Sequence, residues 1–176
     1  VHWVPEWAGS KRFHDWLVGA RDWVISRQRY WGAPLPIWSC EKCGTRTVIG
    51  SKAELRDRAI NAPKNFELHR NDVDKIRVRC KKCRGTARRE PDTVDVWMDS
   101  GVASWAGLGF PASTKDFRAL WPADLIVEAH DQTRGWFYNQ LSSSVAAFNR
   151  SPYKMVLMHG HTLDEQGEKF SKSKGN

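Results

Sequence analysis

All four cysteines of this chain fall in two pairs of identical spacing, Cys40-x2-Cys43 and Cys80-x2-Cys83. No other feature constrains the fold as tightly. Each pair is followed closely by a glycine, Gly44 and Gly85, which permits the tight knuckle that wraps two thiolates around one ion. Four thiolates satisfy Zn2+ tetrahedrally, and two short hairpins presenting two sulfurs each lose less ordering entropy than one long loop. The alternative is a pair of disulfides, which the doublet spacing and a cytosolic setting disfavour. Cys40, Cys43, Cys80 and Cys83 are therefore the expected ligands of a structural Zn2+, with no open position for catalysis. The 36 residues between the pairs exceed the spacing of the commonest ribbons. Ser51, with Glu54 three residues later, forms a capping-box pattern that predicts a short helix over 52–59 inside that interval.

The chain has the length of one domain, and 40% hydrophobic residues with 10 tryptophans are enough for a core. No apolar run approaches the eighteen or so residues of a membrane span, and the opening residues do not form a signal peptide. A cytoplasmic protein without a membrane role is expected. A net charge of +8 and a pI near 9.5 favour a polyanionic partner, nucleic acid or nucleotide first. The chain starts without Met and stops inside a glycine-flanked lysine cluster, the expectation being a fragment.

Ser10 reads as a helix cap, with Phe13, Trp16 and Leu17 on one face of a helix that ends near Gly19. A turn or two of helix is expected over 21–29. Residues 32–36 then break into a strand at Ile37 and Trp38. Val94-Asp95-Val96-Trp97 reads as an alternating strand leading to Asp99-Ser100-Gly101. A strand over 125–127, a helix over 133–148 and a strand over 155–158 form a βαβ unit, hence a parallel sheet with ligands at the C-terminal ends of its strands. Polar clusters fall there: Glu128-Ala129-His130-Asp131-Gln132 after one strand and His159-Gly160-His161 after the next. The domain partition that results is 1–39, an insertion over 40–90, and 91–176.

Near the end, Gly167-Glu168-Lys169-Phe170-Ser171-Lys172-Ser173-Lys174-Gly175 sets three lysines among small hydroxyl residues, with a glycine at each end. Alone, such a run is a solvated basic surface. It follows a strand and a turn, however, and it resembles the Lys-Met-Ser-Lys-Ser signature of class I aminoacyl-tRNA synthetases. The resemblance extends back over nearly the whole chain, through Trp3-Val4-Pro5-Glu6-Trp7 and the segment from Arg21 to Gly32 with its Ser26-Arg27-Gln28-Arg29. The latter is typical of the isoleucyl, valyl and leucyl subgroup. Glu128 to Phe137 resembles the isoleucyl pattern Glu-Gly-Ser-Asp-Gln-His-Arg-Gly-Trp-Phe, and Asp95 to Gly101 agrees with it. Phe170 stands where the family has Met, Ala129 where it has Gly, and His130 and Thr133 also depart.

The resemblance implies an α/β fold: the C-terminal half of a Rossmann-type catalytic domain with an inserted zinc ribbon. It implies ATP-dependent activation of isoleucine, ATP acting with Mg2+, and transfer to tRNA(Ile) by a monomeric ligase of protein biosynthesis. Lys169 and Lys172 would be catalytic and bind the ATP phosphates with Ser171 and Ser173, and His159 and Gly160 would lie at the adenine. Trp97, Glu128, Asp131, Gln132 and Trp136 would bind the aminoacyl-adenylate, the two tryptophans as pocket walls. Three of these groups have plainer alternatives: tRNA phosphate contacts for the lysines, a helix N-cap for the carboxylates and Gln132, and the core for the tryptophans. Arg27, Arg29 and Arg134 are ion-pair partners or tRNA contacts. One methylene separates isoleucine from valine and is worth only about 1–3 kcal/mol, this family being the standard illustration of that limit. Editing would lie in an insertion ahead of Val1. The companion signature His-Ile-Gly-His does not occur, so little or no complete aminoacylation by the 176 residues alone is expected. Two rival readings are a zinc-ribbon nucleic-acid-binding module without catalysis and a valyl-type synthetase.

Overall fold

The computed structural model describes residues 1–175, Asn176 lying outside them. In chain order it runs β1 (His2–Val4), a π-helical stretch Ala8–Phe13 continuing into α1 (His14–Val18), β2 (Ser26–Arg27), β3 (Ile37–Cys40), β4 (Arg46–Val48), α2 (Lys52–Arg58) and α3 (Arg70–Val73). There follow β5 (Val78–Arg79), β6 (Thr86–Arg89), β7 (Thr93–Val94), α4 (Val96–Ala106), α5 (Lys115–Leu120), β8 (Ala123–Ala129), a 3-10 turn His130–Arg134, α6 (Trp136–Phe148) and β9 (Tyr153–His159). Two units result: Trp23–Val96, and Val1–Asp22 with Trp97–Asn176.

The Trp23–Val96 unit is built on an antiparallel sheet of order β4-β3-β6-β5. Side chains alternate across a strand. Trp38 and Cys40 of β3 accordingly point inward with Ala87 and Val78, joining Ile49, Leu55, Phe66, Val73 and Ile76 in one core. Helix α2 forms where the capping pattern put it: the Glu54 N–H donates to Ser51 Oγ at 3.0 Å. The Glu54 carboxylate accepts from Gly50 N at 2.9 Å, one residue before the reciprocal partner of a full capping box. Arg89 is 4% exposed. Its guanidinium donates to the carbonyls of Leu35 (3.1 Å) and Asp92 (2.9 Å) and pairs with Asp74, as a buried charge requires.

Two sequence expectations fail in this unit, for one reason. Residues 21–29 are not helical; Ser26–Arg27 pair antiparallel with Thr93–Val94. The Val94 to Trp97 strand ends at Val94, and helix α4 starts at Val96. Between them Asp95, 3% exposed, donates its N–H to Ile25 O at 2.7 Å, and its carboxylate pairs with Arg27 and accepts from Trp23 Nε1 at 3.2 Å. Long-range pairing satisfies backbone and carboxylate together and overrides local propensity.

The other unit holds a parallel sheet of order β1-β9-β8. The expected βαβ arrangement of β8, α6 and β9 is present, with both strands longer than predicted. Trp3, Ile126, Val156 and Met158 occupy the buried face against Ala8, Phe13, Phe137 and Tyr153. On the opposite face Val4, Leu125, Val127, Met155 and Leu157 are 37–49% exposed. Gly101 of α4 lets the two helices meet, since a Cβ there would lie 2.8 Å from Asn139 O of α6. Beyond them Phe148 gathers Trp105, Phe110, Phe117 and Trp121 at ring-centroid distances of 5.0–5.5 Å. Ser10 is not a cap: the chain is already helical before it, and its hydroxyl donates to Glu6 O at 3.1 Å. No helix among the described residues is long and apolar enough to cross a membrane.

Candidate functional site

Parallel pairing of β8 and β9 sets Ala129 opposite His159, so the chain leaves the sheet at two adjacent points. His130 and Asp131 follow the first strand; Gly160 and His161 follow the second. The rings of His130 and His161 lie 4.2 Å apart, and His161 Nδ1 is 3.9 Å from Asp131 Oδ1. Burial, and after it the positive charges of Lys169 and His130, hold His161 below the ordinary histidine pKa, with Asp131 opposing them. The lysine segment is thus within electrostatic reach of the strand-end cluster.

A hairpin brings it there. Leu163 and Lys169 form an antiparallel bridge, and Asp164 turns the chain, its Oδ1 accepting from the N–H groups of Gln166 (3.1 Å) and Glu168 (2.8 Å). Lys174 Nζ reaches Glu168 Oε2 at 2.8 Å, and the Ser171 and Ser173 hydroxyls are 2.8 Å apart. Lys169, Lys172 and Phe170 are exposed. His159 Nδ1 lies 2.5 Å from Gly160 O. A Cβ on Gly160 would meet nothing within 4 Å, which leaves open space beside the backbone at this strand end.

Gln132 joins this cluster to helix α6. Its Nε2 donates to Asp131 Oδ2 at 2.9 Å, and its Oε1 accepts from Trp136 N at 2.8 Å. Of the three residues weighed for a capping role, Gln132 is the one that accepts from the first N–H of α6. Trp97 and Trp136 come together around Gly135: Trp97 Cη2 is 3.4 Å from the position of a Gly135 Cβ, and Trp136 Nε1 donates to Ser100 O at 3.1 Å. Trp97 is 40% exposed, whereas Trp105 is 7% exposed. The core reading fits Trp105 and not Trp97. Glu128, the next-to-last residue of β8, is exposed.

The four thiols form a second centre. Cys40 and Cys83 Sγ are 3.5 Å apart, Cys43 and Cys80 Sγ 3.7 Å, and all four lie within 4.8 Å of one another. None is in a disulfide. A metal with bonds of about 2.3 Å to four sulfurs in a tetrahedron sets them about 3.8 Å apart, so this set can hold a metal. The two knuckles are built alike: Gly44 N donates to Cys40 O at 2.9 Å, and Arg84 N to Cys80 O at 3.0 Å. In the first the left-handed residue is Gly44 (φ +69°), as expected; in the second it is Arg84 (φ +58°) and not Gly85. Gly85 matters for space, a Cβ there coming within 3.2 Å of Cys83 Sγ. A hydrogen bond with the Thr45 hydroxyl at 3.2 Å, with the Thr45 N–H and Cys83 adding to it, lowers the Cys43 pKa to about 6. The Cys83 N–H lowers that of Cys80. At Cys83 the Gly85 N–H lowers the pKa, but the neighbouring Cys43 and Cys40 thiols outweigh it and push it up to about 11.

A family model described as tRNA synthetases class I (I, L, M and V) matches residues 1–176, the full chain. The chain belongs to the class I tRNA synthetases. Relatives of this synthetase segment include isoleucine–tRNA ligases of Methanothrix thermoacetophila (61% identical), Methanosarcina barkeri (58%) and Archaeoglobus fulgidus (57%), each matched over 100% of the chain. The chain spans 16–17% of the length of these relatives. A LeuRS of Agrobacterium radiobacter, solved in a ternary complex with tRNA and LeuAMS, superposes with a TM-score of 0.64 at 26% identity, over 89% of this chain and 21% of that one. The class I synthetase catalytic-domain fold, with its parallel and antiparallel sheets, is thereby shown.

In this synthetase segment each of the three arginines has an intramolecular contact, and only Arg27 has an ion pair among the described residues. Arg27 pairs with Asp95, and Arg134 lies over the Trp16 ring at 4.9 Å. Arg29 offers its carbonyl to Arg70 Nη1 at 2.8 Å. The Arg27–Asp95 pair escaped sequence reading because nothing local links residues 68 positions apart.

Proposed function

We propose that this chain is part of an isoleucine–tRNA ligase, which activates isoleucine with ATP and transfers it to tRNA(Ile). In the first step an isoleucine carboxylate oxygen attacks the α-phosphorus of ATP, giving isoleucyl-adenylate and releasing pyrophosphate. In the second a terminal ribose hydroxyl of the tRNA attacks the acyl carbon, and AMP leaves. ATP would enter as its Mg2+ complex. The observation that carries this reading is the juxtaposition at the β8 and β9 ends: the His130, Asp131 and His161 cluster, open space at Gly160, and the lysine hairpin closed by the Leu163–Lys169 bridge just after His161. Identity of 57–61% to isoleucine–tRNA ligases supports the amino-acid assignment.

Lys169 and Lys172 stabilise negative charge on the departing pyrophosphate, with Ser171 and Ser173 shaping the loop around the phosphates. His159 and Gly160 meet the adenine. Asp131, Glu128 and Gln132 accept hydrogen bonds from the ribose hydroxyls and the isoleucine ammonium, Gln132 while holding the start of α6. Trp97 and Trp136 wall the side-chain pocket by shape.

This part of the protein corresponds to the C-terminal half of a Rossmann-type catalytic domain carrying a zinc ribbon. Cys40, Cys43, Cys80 and Cys83 fit Zn2+ by donor chemistry and spacing. The ion supplies cross-linking of the two knuckles, and with four protein ligands it takes no part in the reaction. The protein works as a cytoplasmic monomer, and the 176 residues alone do not sustain aminoacylation. Pyrophosphate exchange by the full-length protein tests the assignment. Exchange should depend on isoleucine, with valine a weaker substrate and leucine inert. Exchange that favoured valine, or needed no amino acid, would overturn it.

A further inference from the structure

The positive charge of this chain is localised. Trp23–Val96 contains 17 Lys and Arg against 9 Asp and Glu, whereas the rest of the chain contains 11 of each. The whole net charge of +8 therefore belongs to the cysteine-bearing unit. Several of that unit's acids are already engaged: Asp95 with Arg27, Asp74 with Arg70 and Arg89, Glu54 with Arg58, Glu67 with Lys52, and Glu41 with Arg88.

Register decides where the surplus points. Ser39 of β3 lies opposite both Arg46 of β4 and Arg88 of β6, and Arg79 of β5 lies opposite Thr86 of β6. Residues directly opposite share a face, as do residues two apart along a strand. Arg46, Arg88 and Arg79 are therefore on one face, the reverse of the Trp38, Cys40, Ala87 and Val78 face, and all three are exposed. Strands lie about 4.8 Å apart, so the row from β4 to β5 is about 14 Å wide. Strands β3 and β5 both run antiparallel to β6, so the two cysteine knuckles fall at the same end of the sheet. There Lys42, Lys81 and Lys82 are exposed too. Of these six cations Arg88 alone has a carboxylate within ion-pair distance among the described residues.

We propose that this sheet face and its knuckle tips bind the phosphate backbone of the tRNA substrate. A row about 14 Å wide is broader than a single nucleotide phosphate needs and suits a run of them. Arginine forks match phosphate oxygens in pairs. The inference rests on the reading that the protein aminoacylates tRNA, and it assigns a phosphate contact to a face remote in sequence from the lysine loop.

The test compares the full-length protein with its Arg46→Ala/Arg79→Ala variant, using tRNA(Ile) transcript binding over a salt series and isoleucine-dependent pyrophosphate exchange without tRNA. Each phosphate contact steepens the log–log dependence of affinity on salt by about 0.7–0.9. The variant should lose about 1.4–1.8 from that slope and bind several-fold more weakly at moderate salt, with exchange unchanged. Arg46→Lys/Arg79→Lys should restore the slope, and Lys11→Ala/Lys115→Ala should leave it at the wild-type value. An unchanged slope in a double variant with wild-type melting and metal content would overturn the proposal. If the double variant fails to fold, Arg46→Ala on edge strand β4 decides it, by a slope lower by about 0.7–0.9 or an unchanged one. Absence of isoleucine-dependent exchange in the wild type would instead count against the proposed function, while the slopes still decide the RNA contact.

Discussion

Arg27 and Asp95, 68 residues apart, form an ion pair in which the Asp95 side chain is only 5% exposed and Arg27 is 37% exposed. The pair joins the start of the cysteine-bearing unit to its end, beside the β2–β7 ladder. Removing one partner of a fully buried pair costs about 3–5 kcal/mol. Because Arg27 is partly solvated, Arg27→Ala should cost less, about 2 kcal/mol. In denaturant titrations the double variant Arg27→Ala/Asp95→Ala should be less destabilised than the two single changes summed. Strict additivity would mean that the pair carries no coupling.

The thiol cluster should take up one Zn2+ per chain, seen in metal analysis of protein purified without added chelator. Cys40→Ser should abolish that equivalent, and chelation of the wild type should unfold Trp23–Val96, since binding free energy at such sites is folding free energy. Retention of far-ultraviolet dichroism and protease resistance after complete metal removal would contradict a structural role.

His161 should titrate below the model-compound value of about 6.5 when its ring protons are followed by NMR. Lys169→Ala should move that midpoint up, because one of the positive charges opposing imidazolium is gone. The folded state binds fewer protons than the unfolded chain between the two pKa values, so stability rises with pH across that window and is lost as pH falls through it. A midpoint unmoved by Lys169→Ala would separate the loop from the strand-end cluster.

Local patterns foretold what local physics decides. The capped helix α2, the β8–α6–β9 crossover and the meeting of four thiols each follow from spacing over a few residues or from one metal's geometry. Three features lay outside such patterns. The extended path of residues 21–29 depends on Thr93 and Val94, and the start of α4 at Val96 depends on Asp95 being claimed by Arg27 and Trp23. The left-handed turn falls at Arg84, four residues after Cys80 as Gly44 is four after Cys40, while Gly85 is needed for its missing side chain. The sequence put polar residues at the strand ends, but that Gln132 bridges Asp131 and the first N–H of α6 emerged only from its contacts. Concentration of the charge in one unit was visible in the sequence only once the unit boundaries were known.

The proposed role of the lysine segment is adenylate formation. Lys172→Ala in the full-length protein separates that role from RNA binding, by isoleucine-dependent pyrophosphate exchange and tRNA(Ile) affinity measured side by side. A contact worth a few kcal/mol in the transition state corresponds to about a hundredfold or more in rate. Exchange should therefore fall by at least about a hundredfold, with tRNA affinity nearly unchanged. Preserved exchange with weakened, salt-sensitive tRNA binding would rule out a role in adenylate formation and make this segment a tRNA contact.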